Sequence, residues 1–161
     1  MRDTDVAPDE QLERLRAACR TAGIKVTHQR IEIFREVAAN PDHPDTEAVF
    51  LGVRRRLPTI SLDTVYRTLA LLEDLGLVTV MGSWRGARRF DPNLSAHHHF
   101  VCERCGVVRD FEHAEFDALT PPAAVGAMGT VRSTSVEVRG VCAVCAGRRQ
   151  RAGSAKKGRR R

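Results

Sequence analysis

The sequence predicts an α+β protein built as a winged helix-turn-helix over residues 1–91, a hinge at 92–96 and a small α/β domain over 97–146. Three observations predict it. Four helical segments follow one another through residue 75 and lead into two short strand-like runs. The segment PNLSA at 92–96 has linker composition. Beyond it the chain turns to short strand-like runs bracketed by two C-x-x-C pairs, Cys102/Cys105 and Cys142/Cys145.

Each element has a local reason. In residues 9–22, Leu12, Leu15, Ala18 and Cys19 recur at helical spacing and Gly23 stops the helix, which makes Cys19 a core residue. Thr27 can cap a second helix with Ile31, Phe34, Val37 and Ala38 on one face, ended by Asn40-Pro41. The segment NPDHPD is a turn. A third helix is expected over 46–56, with Ala48, Val49, Leu51 and Val53 partly inward, and Pro58 ends it. Ser61 can cap a fourth, SLDTVYRTLALLEDLG, whose stripe is Leu62, Val65, Leu69 and Leu72, with Asp63, Thr64, Arg67 and Thr68 turned away. LVTVM and ARRFD read as strands around GSWRG. In the second half, HHHFV and VVRDF read as strands around CERCG, 112–119 as a short helix, PPAAVGAMG as a loop and TVRSTSVEVRGV as a strand leading into CAVC.

Charge narrows the partners. There are 26 Lys+Arg against 20 Asp+Glu, a formal charge of +6. Eight of the basic residues (Arg148, Arg149, Arg151, Lys156, Lys157, Arg159, Arg160 and Arg161) sit in a tail over 147–161 that has no acid and no apolar periodicity. The rest of the chain, 18 basic against 20 acidic residues, is near −2, so any nucleic-acid contact by the folded part must rest on individually placed side chains. Aromatics make up 5%, too few for a base-stacking surface. No apolar run approaches the roughly 20 residues of a membrane span, and MRDTDVAPDEQ lacks the apolar stretch of a secretory signal. A reducing cytoplasm is therefore the expected location.

In such a compartment Cys102, Cys105, Cys142 and Cys145 read as a structural zinc site, with a redox dithiol as the alternative. Four thiolates close the tetrahedral shell, and the ion staples a strand to a distant C-terminal segment. A second cluster is mixed. His97 and His99 share one strand face, and folding the chain about CERCG sets Asp110 opposite His99 and Glu112 opposite His97. Asp91 can approach from the hinge and His43 from the DHPD turn. Imidazoles with carboxylates suit Fe(II), Mn(II) or Zn(II), and ligands drawn from both domains would fix their arrangement only when metal is bound.

With these residues in place, the chain resembles the ferric uptake regulator (Fur) superfamily of bacterial metal-dependent repressors over about residues 10–146. The resemblance is carried by T-x-Q-R at Thr27–Arg30, the His43-Pro44 turn, S-L-D-T-V-Y-R-T-L at 61–69, R-F-D at 89–91, H-H-H-F-V-C-E-R-C-G at 97–106 and G-V-C-x-x-C at 140–145. It implies a homodimer, a DNA-binding winged helix, a dimerising C-terminal domain with four-cysteine zinc, and a regulatory Fe(II) or Mn(II) site of His43, Asp91, His97, His99 and Asp110. It prefers Asp110 to Glu112 and points to the peroxide-sensing PerR branch, where that ligand is typically Asp and bound Fe(II) promotes oxidation of a ligand imidazole, here His43 or His97. Arg67 looks more like the iron-responsive members, which keeps an iron-uptake repressor as the alternative. The fourth helix would enter the major groove of a palindromic double-stranded operator, with Arg67 on guanine, Thr64 and Tyr66 on phosphate or a thymine methyl, and Arg30 and Lys25 on the backbone. Trp84 and Arg85 would reach the minor groove. A metalloenzyme using the His/carboxylate cluster is a remote alternative, since no placed nucleophile or oxyanion donor accompanies it. A zinc-stapled interaction module is a third.

Overall fold

The computed structural model describes residues 7–84, 87–131 and 133–147, with the side chains of 82–84 excepted. The basic tail and the wing-tip side chains of Trp84 and Arg85 lie outside the described residues. The chain divides into two compact units between Ser95 and Ala96.

The first unit contains α1 (Pro8–Thr21), α2 (His28–Ala38), α3 (Thr46–Arg54), α4 (Leu62–Asp74), β1 (Thr79–Trp84) and β2 (Ala87–Asp91). Three helices start on a side chain that accepts an otherwise unused backbone N–H. Thr27 Oγ1 accepts from Arg30 N at 3.3 Å, Asp45 Oδ1 from Ala48 N at 2.8 Å, and Ser61 Oγ from Thr64 N at 3.1 Å. Gly23 and Gly76 leave their helices at φ 68° and 66°, a left-handed conformation that a Cβ disfavours. The apolar faces meet in one core that includes Leu15, Cys19, Ile33, Val37, Val53 and Leu72. An ionic clasp ties α2 to the end of α3: Arg56 donates to Glu32 at 2.6 Å and to Glu36 at 2.8 Å. The Arg56 guanidinium, helped by Arg35, holds the Glu32 carboxyl below the usual carboxylate range. Gly52 leaves the room for this, because a Cβ there would collide with the Glu36 carboxylate.

Several expected faces shift. Helix α3 ends at Arg54 rather than 56, and Leu51 is 52% exposed while Val49 and Val53 fill the core. On α4 the buried stripe is Val65, Thr68, Leu69 and Leu72. Thr68 is inward because i, i+3, i+4, i+7 from Val65 is one helix face. Leu62, at the overhanging first turn, is 42% exposed. β1 runs through most of the expected turn to Trp84, with a register shift between Met81 and Trp84.

The second unit contains β3 (His98–Cys102), β4 (Val108–Phe111), α5 (Ala114–Asp117), α6 (Ala123–Met128) and β5 (Glu137–Gly140). Its sheet has the order β4-β3-β5, with β3 antiparallel to β4 and parallel to β5. β4 carries the chain back to the end of the sheet where β3 starts, and the segment with α5 and α6 then leads past β3 to the start of β5. Of the expected strand at 130–141, Glu137–Gly140 is the part that forms a strand among the described residues, and part of the expected loop at 121–129 is helical. A helical turn over 143–147 follows β5.

The cap on α4 gives a direct check. Ser61→Ala should lower unfolding free energy by about 1 kcal/mol, measured by urea denaturation. An unchanged midpoint would show that Ser61 does not hold the start of the helix.

Candidate functional site

The sheet of the second unit assembles the four cysteines. Cys102 ends β3, and the chain reverses through a turn closed by Gly106 N donating to Cys102 O at 2.8 Å, with Gly106 at φ 72°. The parallel pairing sets Gly140 beside Cys102, and Glu103 N donates to Gly140 O at 2.8 Å. Cys142 and Cys145 follow within one helical turn, where Ala146 N donates to Cys142 O at 2.9 Å. Arg104 Nη1 links the two knuckles by donating to Cys145 O at 2.8 Å. The four Sγ atoms lie within 4.8 Å of one another. Zn–S bonds of about 2.3 Å in a tetrahedron place sulfurs about 3.8 Å apart, the separation found between Cys105 and Cys142. That is far beyond the roughly 2.05 Å of a disulfide, and all four cysteines are free.

The electrostatics ask for a cation. Backbone N–H groups of Cys142 and Cys105 aimed at Cys102 Sγ lower its pKa to about 6. The neighbouring thiols of Cys105 and Cys142, together with burial and the Cys102 charge, push Cys145 up to about 12. One thiolate is therefore easy to form and four together are not, unless a positive ion sits among them. Four close thiol ligands with no open position suit structural zinc.

The mixed cluster exists as two sets of residues, one in each unit. In the first unit Pro44 disfavours the right-handed helical region for the residue before it, and His43 adopts φ 52°. A non-glycine residue there costs on the order of 1 kcal/mol. The loop is pinned to β2 by Phe90 N donating to Pro44 O at 3.1 Å and by a bridge between Asp45 and Arg89. Its imidazole Nε2 then stands 3.5 Å from Asp91 Oδ1, an oxygen that also accepts from Asn93 N at 2.8 Å. In the second unit the register pairs His99 with Asp110, as simple folding about CERCG expects. The Nε2 atoms of His97 and His99 are 2.7 Å apart, and Asp110 Oδ1 lies 3.9 and 3.7 Å from them. Glu112 lies past the end of β4 and is exposed.

The residues expected to meet DNA are on the first unit. Tyr66 is 57% exposed, so it is not a core side chain. Arg67 is highly exposed and pairs with Asp63 at 3.0 Å, a surface ion pair that contributes little and is readily exchanged. Thr64 Oγ1 shares a 2.8 Å hydrogen bond with Ser61 Oγ. Arg30 donates to the Lys25 carbonyl, which places both beside the start of α2.

The ferric uptake regulator family model matches residues 21–138, most of the chain. The protein belongs to that family. It is therefore a metal-dependent regulator of a family of transcriptional regulators, not of enzymes. It is similar to the peroxide-responsive repressor PerR of Staphylococcus epidermidis, with 31% identity over 137 residues covering 85% of this chain and 91% of that protein. Among solved structures it resembles the ferric uptake regulator of Vibrio cholerae (29% identity, TM-score 0.63, 78% and 98% of the two chains). It shares the fold of the Helicobacter pylori ferric uptake regulator (23% identity, TM-score 0.73, 88% and 95%). No helix among the described residues is long and apolar enough to cross a membrane.

Two side chains near the clusters escaped sequence reasoning. His98 lies between His97 and His99 and so on the opposite strand face. It is 2% exposed, its Nδ1 accepts from Val136 N at 3.2 Å, and its Nε2 lies 3.1 Å from Asp117 Oδ1. Arg89 belongs to the R-F-D motif but had been given no role, and it donates to the His43 carbonyl at 3.0 Å. Strand alternation could have flagged His98, since an imidazole is not ordinarily placed inward without a partner.

Purified protein should contain one tightly held zinc per chain. Cys142→Ser should lose that zinc and melt the second unit, read by metal analysis and thermal unfolding. A zinc-free variant that still unfolds like the wild type would contradict a structural role.

Proposed function

We propose that this protein is a cytoplasmic, homodimeric DNA-binding repressor in which one regulatory Fe(II) or Mn(II) is held by His43, Asp91, His97, His99 and Asp110, and which senses peroxide. The supporting observation is the pairing of Asp110 with His99 beside His97, an Asp where iron-uptake regulators typically carry Glu. Similarity to peroxide-responsive repressors over 85% of the chain points the same way. The donor set fits the ion: imidazole and carboxylate together suit Fe(II) and Mn(II) and leave coordination positions open.

His43 and Asp91 come from the first unit and His97, His99 and Asp110 from the second, so shared ligation would select one arrangement of the units. That arrangement would set the two copies of α4 of a dimer on successive major grooves of a palindromic operator. Arg67 reads guanine, Tyr66 and Thr64 line the groove wall, and Arg30 and Lys25 hold the backbone. A bound Fe(II) would supply the one-electron chemistry that splits the peroxide O–O bond, the net change being a ligand imidazole plus peroxide giving water and a ring that carries one added oxygen. The resemblance points to the imidazole of His43 or His97 as the ring oxidised, and a ring that has gained oxygen is a poorer ligand. Loss of the shared ligand releases the arrangement and the DNA.

Trace peroxide added to the Fe(II)-loaded protein should abolish operator binding and add one oxygen to a peptide containing His43 or His97, while the Mn(II)-loaded protein should be spared. Retained binding with unmodified histidines would reject peroxide sensing and favour the second reading, an iron-responsive repressor, which the exposed Arg67 and the likeness to ferric uptake regulators support.

Arg67→Ala should weaken specific binding by about 1–3 kcal/mol and relax preference at one base pair of each half-site, measured by titration against operator variants. Full affinity and full preference would remove Arg67 from the recognition surface.

A further inference from the structure

We infer that Arg89 is a positioning residue for the regulatory site, holding the backbone of the His43 loop so that its imidazole meets Asp91. The inference rests on the reading of His43 as a regulatory ligand. Arg89 and Asp91 are alternate residues of β2 and so project from the same strand face. They grip the same loop at two levels. Arg89 Nη1 donates to the carbonyl oxygens of His43 at 3.0 Å and Asp42 at 3.4 Å, while Asp91 Oδ1 stands 3.5 Å from His43 Nε2. Between them Phe90 turns into the core, 3% exposed, and its N–H donates to Pro44 O.

The loop needs such a grip. His43 is the one non-glycine residue with positive φ among the described residues. Pro44 disfavours the right-handed helical region at His43 but does not by itself fix φ 52°. Arg89 supplies a further constraint through the two carbonyls it holds. A guanidinium suits the task because its donors are fixed in a plane and can serve two acceptors from one position. Arg89 touches neither the Nδ1 nor the Nε2 ligand atom; it acts through the backbone that aims them.

The test is a mutant cycle in the full-length, zinc-containing protein, with Mn(II) alone as the probe and its dissociation constant as the readout. Arg89→Gln should weaken Mn(II) binding about tenfold, the lower end for residues that orient metal ligands, with zinc content and thermal midpoint unchanged. Combined with His43→Ala, it should add no further loss, because the residue it positions is gone. Arg89→Lys keeps one donor and should recover part of the affinity; it also carries the cycle if the Gln variant does not fold. An Arg89→Gln protein that binds Mn(II) like the wild type, or one whose loss adds fully to that of His43→Ala, overturns the inference alone. If His43→Ala itself binds Mn(II) normally, the regulatory reading of His43 fails and the positioning role falls with it.

Discussion

The mutual repulsion of four sulfur atoms is the constraint on which the second unit depends. Among the described residues beyond Ser95, the buried apolar side chains are Val101, Cys102, Val108 and Cys145, and two of those are cysteines of the cluster. So small an apolar core cannot order a unit of this size by burial alone. Sulfurs this close need a cation, and binding that cation is then folding energy. The register of β3 on β4 and β5 is fixed at the same end of the sheet, because Cys102 and Gly140 are partners and Cys142 follows two residues later. The His99–Asp110 pair, three residues up the strand, inherits its placement from that staple.

The first unit is built differently. Its helices carry their own caps and a continuous core from Leu12 to Phe90, and it contains no metal-like cysteine cluster among the described residues. What it holds toward the proposed regulatory site is a strained loop. His43 is held at positive φ against a strand whose next-but-one residues reach its backbone and its ring. The loop runs straight into Asp45, the cap of α3, so any force on His43 is delivered to a helix end. In the regulatory proposal this is where ion binding would be felt by the DNA-binding helices.

Much of this was legible in the sequence, for physical reasons that differ by element. Thr27 and Ser61 announced their helices because a hydroxyl before an apolar-periodic run has one good use. The His99–Asp110 pairing followed from a tight turn closed by a glycine, which leaves little freedom of register. The failures are equally specific. Leu62 was given to the buried face because the sequence shows where a stripe runs but not where its cover ends, and Thr68 was turned outward for its polarity although its spacing puts it on the face of Val65, Leu69 and Leu72. Helix α6 was missed because Ala123–Met128 has no apolar periodicity and follows two prolines. Strand β5 was drawn too long because strand composition persists where the partner strand has already ended. Arg89 was passed over because its role lies in backbone carbonyls that no side-chain pattern encodes.

The most direct measurement is the crystal structure of the Mn(II)-loaded, zinc-containing protein, with anomalous diffraction at the manganese edge. One manganese per chain, ligated by His43 and Asp91 together with His97, His99 and Asp110, is the expected result. Manganese bound by the residues of one unit only, or at separate positions in the two, would contradict a regulatory site shared between them.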